Sequence, residues 1–514
     1  MQKKQTILVV ASLLVVVLSV TLAYFTAQII GKGKNVTINS ADLKIVFTDS
    51  DGSISGTNIE PGKWNVTKTF TIENKSNETY KYNIVIQDLV NTFVTNGYLQ
   101  YKITSTNGGY NMTEFKDVPK SETATDTILA YSVSIPVGVT QSYTVEFKYA
   151  NDESVDQSDD MGKTLSGKLF ITEGTEEPTL LSQILKDNPT RSTRSNNNNN
   201  GTNDFATPLT TTTTGTLFTS TESITGITDS PKEVYYFAGN TTKNWVKFAN
   251  LYWRIIRTNH DGSIRLLYVG TSHDTTGGNI GTSAFNTISN STKYVGYKYG
   301  EDTSLDTIRN NTTDSTIKTY IDTWYQNNLT NYTKYLSTSA VYCNDRSEGT
   351  GQTYNYTSSP SSKFNFAPYY RMDYDTDGAA ANPSYNCSDI RDAFSVDNTN
   401  AKLDYPVSLM TADEIAFAGG VAFQTMSTPY AWFISNSAGS QVSSDWWSLS
   451  PIRWDGSDAR VWNWYFDLAN LNNSRVFNAI AVRPALSLKS CIKYSTGNGA
   501  PETPYEIVET DTGC

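Results

Sequence analysis

Tyr143-Thr144-Val145-Glu146-Phe147-Lys148-Tyr149 alternates an apolar or aromatic side chain with a polar one at every step. Successive side chains of an extended backbone point to opposite faces, so this heptapeptide has one apolar face and one wet face. The same period of two recurs around it, in Leu43/Ile45/Phe47, in Tyr80/Tyr82/Ile84/Ile86, and in Leu165 with Leu169 and Ile171. Strands of this kind, separated by Gly, Asn and Asp turns, predict an antiparallel all-β sandwich over residues 32–173.

The chain has 514 residues, enough for two or three domains, and 12% of them are aromatic, enough to build real cores. A formal net charge of −11 with no basic face argues against a nucleic-acid partner. Lys3 and Lys4 precede an uncharged apolar run from Thr6 to Phe25, the pattern of an export signal. Residues 1–31 therefore read as a signal peptide or an N-terminal membrane anchor. The small residue closing Thr21-Leu22-Ala23 favours cleavage, whereas the length of the run suffices to span a bilayer. A buried core helix is the poorer explanation, because the run has no polar face.

The cysteines agree with an extracellular, cell-surface location. There are four, Cys343, Cys387, Cys491 and Cys514, without a CxxC pair, so disulfides are expected rather than a zinc site. Three connectivities are open, and joining Cys343 to Cys387 and Cys491 to Cys514 keeps the loops short.

Leu22-Ala23-Tyr24-Phe25-Thr26, Ala41-Asp42-Leu43-Lys44-Ile45, Ile59-Glu60-Pro61-Gly62, Phe70-Thr71-Ile72-Glu73-Asn74 and Asp156-Gln157 give the first region a family likeness. It resembles the TasA/camelysin family of Gram-positive biofilm-matrix proteins. The resemblance implies a jelly-roll-like sandwich, export, and self-assembly into surface fibres. Some members of that family are classed with metalloproteases, but residues 32–173 contain no histidine and no H-E-x-x-H, so that activity does not carry over.

Residues 174–233 read as a low-complexity linker: a short amphipathic stretch, Leu180 to Leu185, followed by Asn196–Asn200 and Thr210–Thr214. Residues 234–514 mix helix and strand. Lys247–Val269 predicts a hairpin about Asp261-Gly262. Ile317, Tyr320, Ile321, Trp324 and Tyr325 share one face of a helix. Thr411 with Glu414 forms a capping box, and Gly419-Gly420 ends the helix that follows. Five of the ten tryptophans then fall between Trp446 and Trp464, among Arg453, Asp455, Asp458, Arg460 and Asn463.

Three motifs here carry a second likeness: Asp445-Trp446-Trp447-Ser448-Leu449-Ser450-Pro451, Ala459-Arg460-Val461-Trp462, and Ala481-Val482-Arg483-Pro484-Ala485-Leu486. With Tyr252-Trp253-Arg254-Ile255, Cys343-Asn344-Asp345-Arg346-Ser347 and Tyr405-Pro406-Val407 upstream, the region is similar to a gut-bacterial family of variable proteins diversified by retroelements. The resemblance implies an α+β C-type-lectin-like fold, related in outline to formylglycine-generating enzymes, that displays hypervariable side chains as a ligand-binding face. It places the variable region at about 447–483. Within it, aromatics crowded among Arg and Asp look more like a binding face than a core, which would exclude those charges, and the candidates for the diversified patch are Arg453, Trp454, Asp455, Asp458, Trp462, Asn463, Trp464, Asn472, Arg475, Phe477 and Asn478. Ser450, Pro451, Val461, Val482, Pro484 and Leu486 are expected to be scaffold. The alternative is that the tryptophans are core, since adjacent strand residues such as Trp446 and Trp447 face opposite sides.

No catalytic residues are expected, and no cofactor. His260 and His273 lie in polar loops with Asp beside them, and no motif frames a nucleophile. Asp373, Asp375 and Asp377 before Gly378 match the start of a calcium loop, but Ser384 stands where the bidentate Glu belongs, so a solvated acidic loop is the default reading and a calcium site the alternative.

The sequence thus reads as a non-enzymatic, adhesin- or receptor-like surface protein. Its expected partner is a protein or glycan on another cell, a host surface or a phage, and its N-terminus faces the bacterial membrane and envelope. The alternative function is a biofilm-matrix or fibre subunit carrying a passenger lectin-like domain. If the variable-region likeness holds, sequencing of the locus will find a near-copy of the segment encoding Trp447–Arg483 beside a reverse-transcriptase gene. The two copies will differ mainly where the template has adenine. A complete genome with neither removes the diversification claim.

Overall fold

A computed structural model describes residues 35–40, 43–49, 53–56, 59–194, 205, 216–241, 243–273, 278–354, 363–372, 382–425 and 444–514. The expected signal segment, the Asn and Thr tracts, and Asp373, Asp375 and Asp377 lie outside these residues. The fold is mostly β, with several antiparallel and mixed sheets. The chain divides into two compact units at Glu177/Pro178.

The first unit contains β1 (Asn35–Ser40), β2 (Leu43–Asp49), β3 (Ser53–Gly56), β4 (Asn65–Asn74), β5 (Tyr80–Asn91), β6 (Leu99–Ser105), β7 (Lys116–Asp117), β8 (Ser121–Ile135), β9 (Thr140–Tyr149) and β10 (Leu165–Glu173). These strands make two antiparallel sheets, in the orders β1-β2-β4-β9-β6-β7 and β3-β10-β5-β8. Val145 and Phe147 of β9, with Phe70 and Ile72 of β4, share one buried cluster with Ile84 and Ile86 of β5 and Leu169 and Ile171 of β10. The two sheets are thus layered across a common core, as the period of two predicts. Tyr82 of β5 donates its hydroxyl to Gln141 of β9 (2.6 Å) and also hydrogen-bonds Tyr143, joining the layers by a polar contact. Burial pushes the Tyr82 phenol far above its ordinary range, so it stays neutral. Alternation fails within β5, where Asn83 and Val85 are also buried. The Asn83 side chain accepts the backbone N–H groups of Ser132 (2.9 Å) and Thr175 (3.1 Å), so its outer face is covered by chain rather than water.

The second unit begins earlier than the sequence suggests. Leu180–Asp187 is a helix capped by Thr179, whose side chain accepts from Ser182 N, and Leu180 and Ile184 are buried in the core of the second unit. Their spacing of four puts both on one helix face. Thr216–Glu222 pairs with Lys232–Ala238 along its whole length. These segments, expected to be linker, are structural parts of the second unit. The amphipathic stretch fails as linker because it has a core to bury itself in.

The main sheet of this unit runs β11 (Arg191–Thr193), β12 (Thr216–Glu222), β13 (Lys232–Ala238), β15 (Leu251–Thr258), β14 (Trp245–Phe248), and then the parallel C-terminal strand Tyr505–Ile507. β16 (Ile264–Gly270) pairs with β15 around Gly262 (φ 75°), forming the expected hairpin. The first arm of that hairpin is not continuous. Ala249 and Asn250 both take φ 57°, a tight turn that makes β14 a strand of its own. The helix Thr316–Asn328 buries Ile317, Ile321 and Tyr325, and the helix Ala412–Phe417 carries the expected Thr411–Glu414 capping box.

Disulfides join Cys343 to Cys387 and Cys491 to Cys514, the pairing with the short loops. They fit an oxidising, extracellular environment. Among the described residues no helix is long and apolar enough to cross a membrane.

Behind the hairpin lies a buried ion network. Arg257 Nε donates to Glu414 Oε1 (2.7 Å) and its Nη2 to Glu222 Oε1 (2.8 Å), while Arg265 Nη1 reaches the same Glu414 oxygen. Burial alone raises both carboxyls, but the guanidinium charges outweigh it: Glu222 is held down to about 2 and Glu414 below its usual 4.5. Groups depressed on folding stabilise the fold above their unfolded pKa and lose that contribution as pH falls through the folded value. The melting temperature is therefore expected to hold from pH 7 to about 5 and to fall steeply below about 4.5. Calorimetry across that range checks it, and a flat profile down to about pH 3 refutes the network's role.

Candidate functional site

The tryptophan-rich stretch folds as a three-stranded antiparallel ladder, Trp446–Trp454, Ala459–Tyr465 and Asn470–Arg475. Trp464 lies opposite Trp446, Asn463 opposite Trp447 and Asn472, and Arg460 opposite Arg475. Trp446, Trp462 and Trp464 share one face. The rings of Trp446 and Trp464 stack at 6.4 Å, and Trp462 lies 5.4 Å from Phe423. Trp447 points the other way, 5.7 Å from Phe285, and donates its indole N–H to Ser283 O (2.9 Å).

Both faces of the ladder are therefore packed, and this corrects part of the expected patch. Trp462, Asn463 and Trp464 are 0% exposed and Trp454 is 3% exposed, so these four are core. Crowding by charged neighbours in sequence misleads here, because Arg453, Asp455, Asp458 and Arg460 gather about the turn between the first two strands, whereas Trp446, Trp447, Trp462 and Trp464 lie toward the other end of those strands. Ser450, Pro451, Val461, Val482, Pro484 and Leu486 are all buried, as scaffold must be.

The other patch residues are at least partly exposed. The turn after Trp454 is built by Asp455, whose carboxylate accepts the backbone N–H groups of Ser457 (3.0 Å) and Asp458 (2.8 Å). Gly456 supplies the positive φ of 98° that this turn needs. Burial alone pushes the Asp455 carboxyl up, but Arg460 and the two backbone donors hold it well below the usual carboxylate range. Asp458 accepts from Ser289 Oγ (2.6 Å) and pairs with Arg475 (3.2 Å). Phe477 is 43% exposed, with the Arg475 guanidinium 5.9 Å from its ring centre. Asn478 N–H donates to Arg475 O (3.0 Å), Asn472 accepts from the Asn473 backbone (2.8 Å), and Arg453 is half-buried opposite Asn365.

The strip so formed is Asp455, Asp458, Arg460, Asn473, Arg475 and Phe477. Arg460, whose Nη1 donates to Asn473 Oδ1 (3.2 Å), is not among the patch residues expected from sequence. Its register opposite Arg475 is the signal that finds it, and that register is a property of the pairing rather than of local sequence. Two acids and two arginines are paired along the strip, which leaves side-chain edges and one aromatic face for a partner.

The remaining sequence candidates fall elsewhere. His260 sits in the β15–β16 turn with Nδ1 3.4 Å from Glu222 Oε2, and its side chain is 9% exposed, more covered than a surface-loop histidine. The ring of His273 lies 5.9 Å from that of Tyr252. Ser384, the twelfth position of the calcium-loop pattern, donates its backbone N–H to Asp413 (2.8 Å). Asp314, Asp322 and Asp404 converge closely enough to hold a cation. The Lys318 ammonium already fills that position at 3.0, 2.6 and 2.6 Å.

No protein-family model, curated protein or solved structure matches this chain. Unfolding measurements separate the two groups of residues. Trp462→Ala is expected to cost about 3–5 kcal/mol, the range for a large buried aromatic. Arg475→Ala and Phe477→Ala should each change stability by less than about 0.5 kcal/mol. Equal losses for all three would mean that the strip is also core.

Proposed function

We propose that the protein is a cell-surface recognition protein whose second unit is a C-type-lectin-like head binding a protein or glycan on another cell, a host surface or a phage. One observation carries this reading. Arg475 and Phe477 project at the open end of the Trp ladder, with Asp455, Asp458 and Arg460 half-buried beside them, while Ala459, Val461 and Val476 one residue away are fully buried. Arg460 is half-buried, its side chain 20% exposed, beside buried Val461, and exposed Arg475 and Phe477 flank buried Val476. Such a division lets projecting residues change without disturbing the core, which a diversified binding face requires. Arg and aromatic side chains are also the residues that dominate binding energy at interfaces. The disulfides support an extracellular setting, and the two-layered sandwich of the first unit suits a stalk.

Fluorescently labelled full-length protein, applied to a panel of bacterial cells, phage particles and epithelial cells, tests the reading. It should stain at least one of them. The double variant Arg475→Ala/Phe477→Ala should lose about tenfold or more in affinity while keeping its melting temperature. Undiminished staining by that variant refutes the strip as the binding face, and failure to stain any surface refutes the recognition role.

A further inference from the structure

Adjoining the strip is a cleft of about 710 Å³, between the helix Thr316–Asn328 and the segment 280–299. The two features are neighbours, because Asn286 N–H donates to Val476 O (3.0 Å) and Ala459 N–H to Ser289 O (2.8 Å). Helical spacing brings Thr316, Thr319, Tyr320, Thr323, Trp324 and Asn327 to one side, and all six line the cleft. This stripe alternates hydroxyl or amide groups with aromatic rings over about 16 Å of helix. The opposite wall presents Tyr294 and Tyr299, packed edge to face at 5.3 Å.

The aromatic walls are held in place. The Trp324 ring meets the edge of Tyr268 at 5.4 Å, and Tyr320 donates its hydroxyl to Ile280 O (2.9 Å). That close approach depends on Gly281, which takes φ +119° and where a Cβ would stand 2.3 Å from the Tyr320 hydroxyl. Asp314 is the one charged residue of the lining among the described residues, and Lys298 (3.1 Å) and Lys318 (3.0 Å) already pair it.

These features narrow the ligand. A phosphorylated or acidic ligand needs free cations; among the described residues the lining contains no Lys or Arg, and of the cations beside it Lys298 is paired with Asp314 and Lys293 lies 5.5 Å from the centre of the Tyr294 ring. A lipid or flat apolar molecule needs an enclosed greasy pocket, whereas this cleft is open and rich in Asn and Thr. A neutral sugar presents apolar C–H faces, which suit the electron-rich faces of Tyr and Trp, and a rim of hydroxyls, which suit amides and alcohols. We propose that this cleft is a binding site for a neutral oligosaccharide, separate from the projecting strip.

Trp324 lies in the cleft and gives the readout. The full-length protein is titrated with cellotetraose, maltotetraose, mannotetraose and chitotetraose, following tryptophan fluorescence and heat. At least one should bind and shift the emission. Thr323 and, one turn away, Thr319 are exposed on the helix, so Thr323→Arg and Thr319→Arg place bulk and charge in the cleft. Each should weaken binding about tenfold or more with the melting temperature kept, and Arg475→Ala should leave it unchanged. No binding by any of the four at millimolar concentration overturns the proposal. So does binding that survives both arginine variants, and so does binding lost on Arg475→Ala alone, which would move the sugar to the strip. Binding of an acidic tetragalacturonate in preference to all four would overturn the neutral-ligand assignment.

Discussion

Glu414 accepts from Arg257 and Arg265 through one oxygen and from the Thr411 backbone N–H (2.9 Å) through the other. Arg257 continues to Glu222, and its guanidinium lies 4.4 Å over the ring of Tyr385. β12, β15, β16 and the helix Ala412–Phe417 are thereby tied at a fully buried point. Two acids and two bases cancel in charge, which makes their burial tolerable, and removing one partner would leave an uncompensated ion at a cost of about 3–5 kcal/mol. The interaction acts as a register device as much as a source of stability. A buried ion pair has few acceptable geometries, whereas apolar contacts have many.

The ladder that carries the strip is keyed to the same place. The chain on either side of Thr411 holds the Trp446–Trp454 strand, since Leu449 N–H donates to Met410 O (2.7 Å) and Ala412 N–H to Ser450 Oγ (2.9 Å). Trp446 and Trp447 then pack on opposite faces, and the ladder becomes a rigid layer inside the unit. Rigidity lowers the ordering cost of recognition, because side chains at the edge start from a fixed backbone. The cleft gains from the same layer, since Phe285 and Ser283 anchor its floor segment to Trp447.

Much of this is legible locally. The period of two across Tyr143–Tyr149, the hairpin at Asp261-Gly262, the helix through Ile317 and Tyr325, the Thr411–Glu414 cap and the short-loop disulfides depend on residues near one another in the chain. What misleads is also local. Leu180–Leu185 takes on the appearance of linker from the Asn and Thr tracts beyond it, although its own spacing of four marks a helix face. Tyr320 and Trp324 fall on the same helical stripe as Ile321 and Tyr325, yet they stand at the margin of the buried face and line a cleft.

By itself the sequence determined the β-rich class, the caps and turns, and the concentration of tryptophan and charge in one stretch, because these follow from backbone geometry and side-chain period. Only the tertiary structure decided which of those aromatic residues project and which are core. Trp462 and Phe477 are both large aromatics among charges, and their own sequence contexts do not separate them. Trp462 is buried because its strand lies inside the ladder, with Phe423 against its ring. Phe477 is exposed because it follows the last strand of the ladder, where no described strand continues the sheet over it. Burial is a property of what packs on a residue from far away in the chain, and no local pattern carries that information.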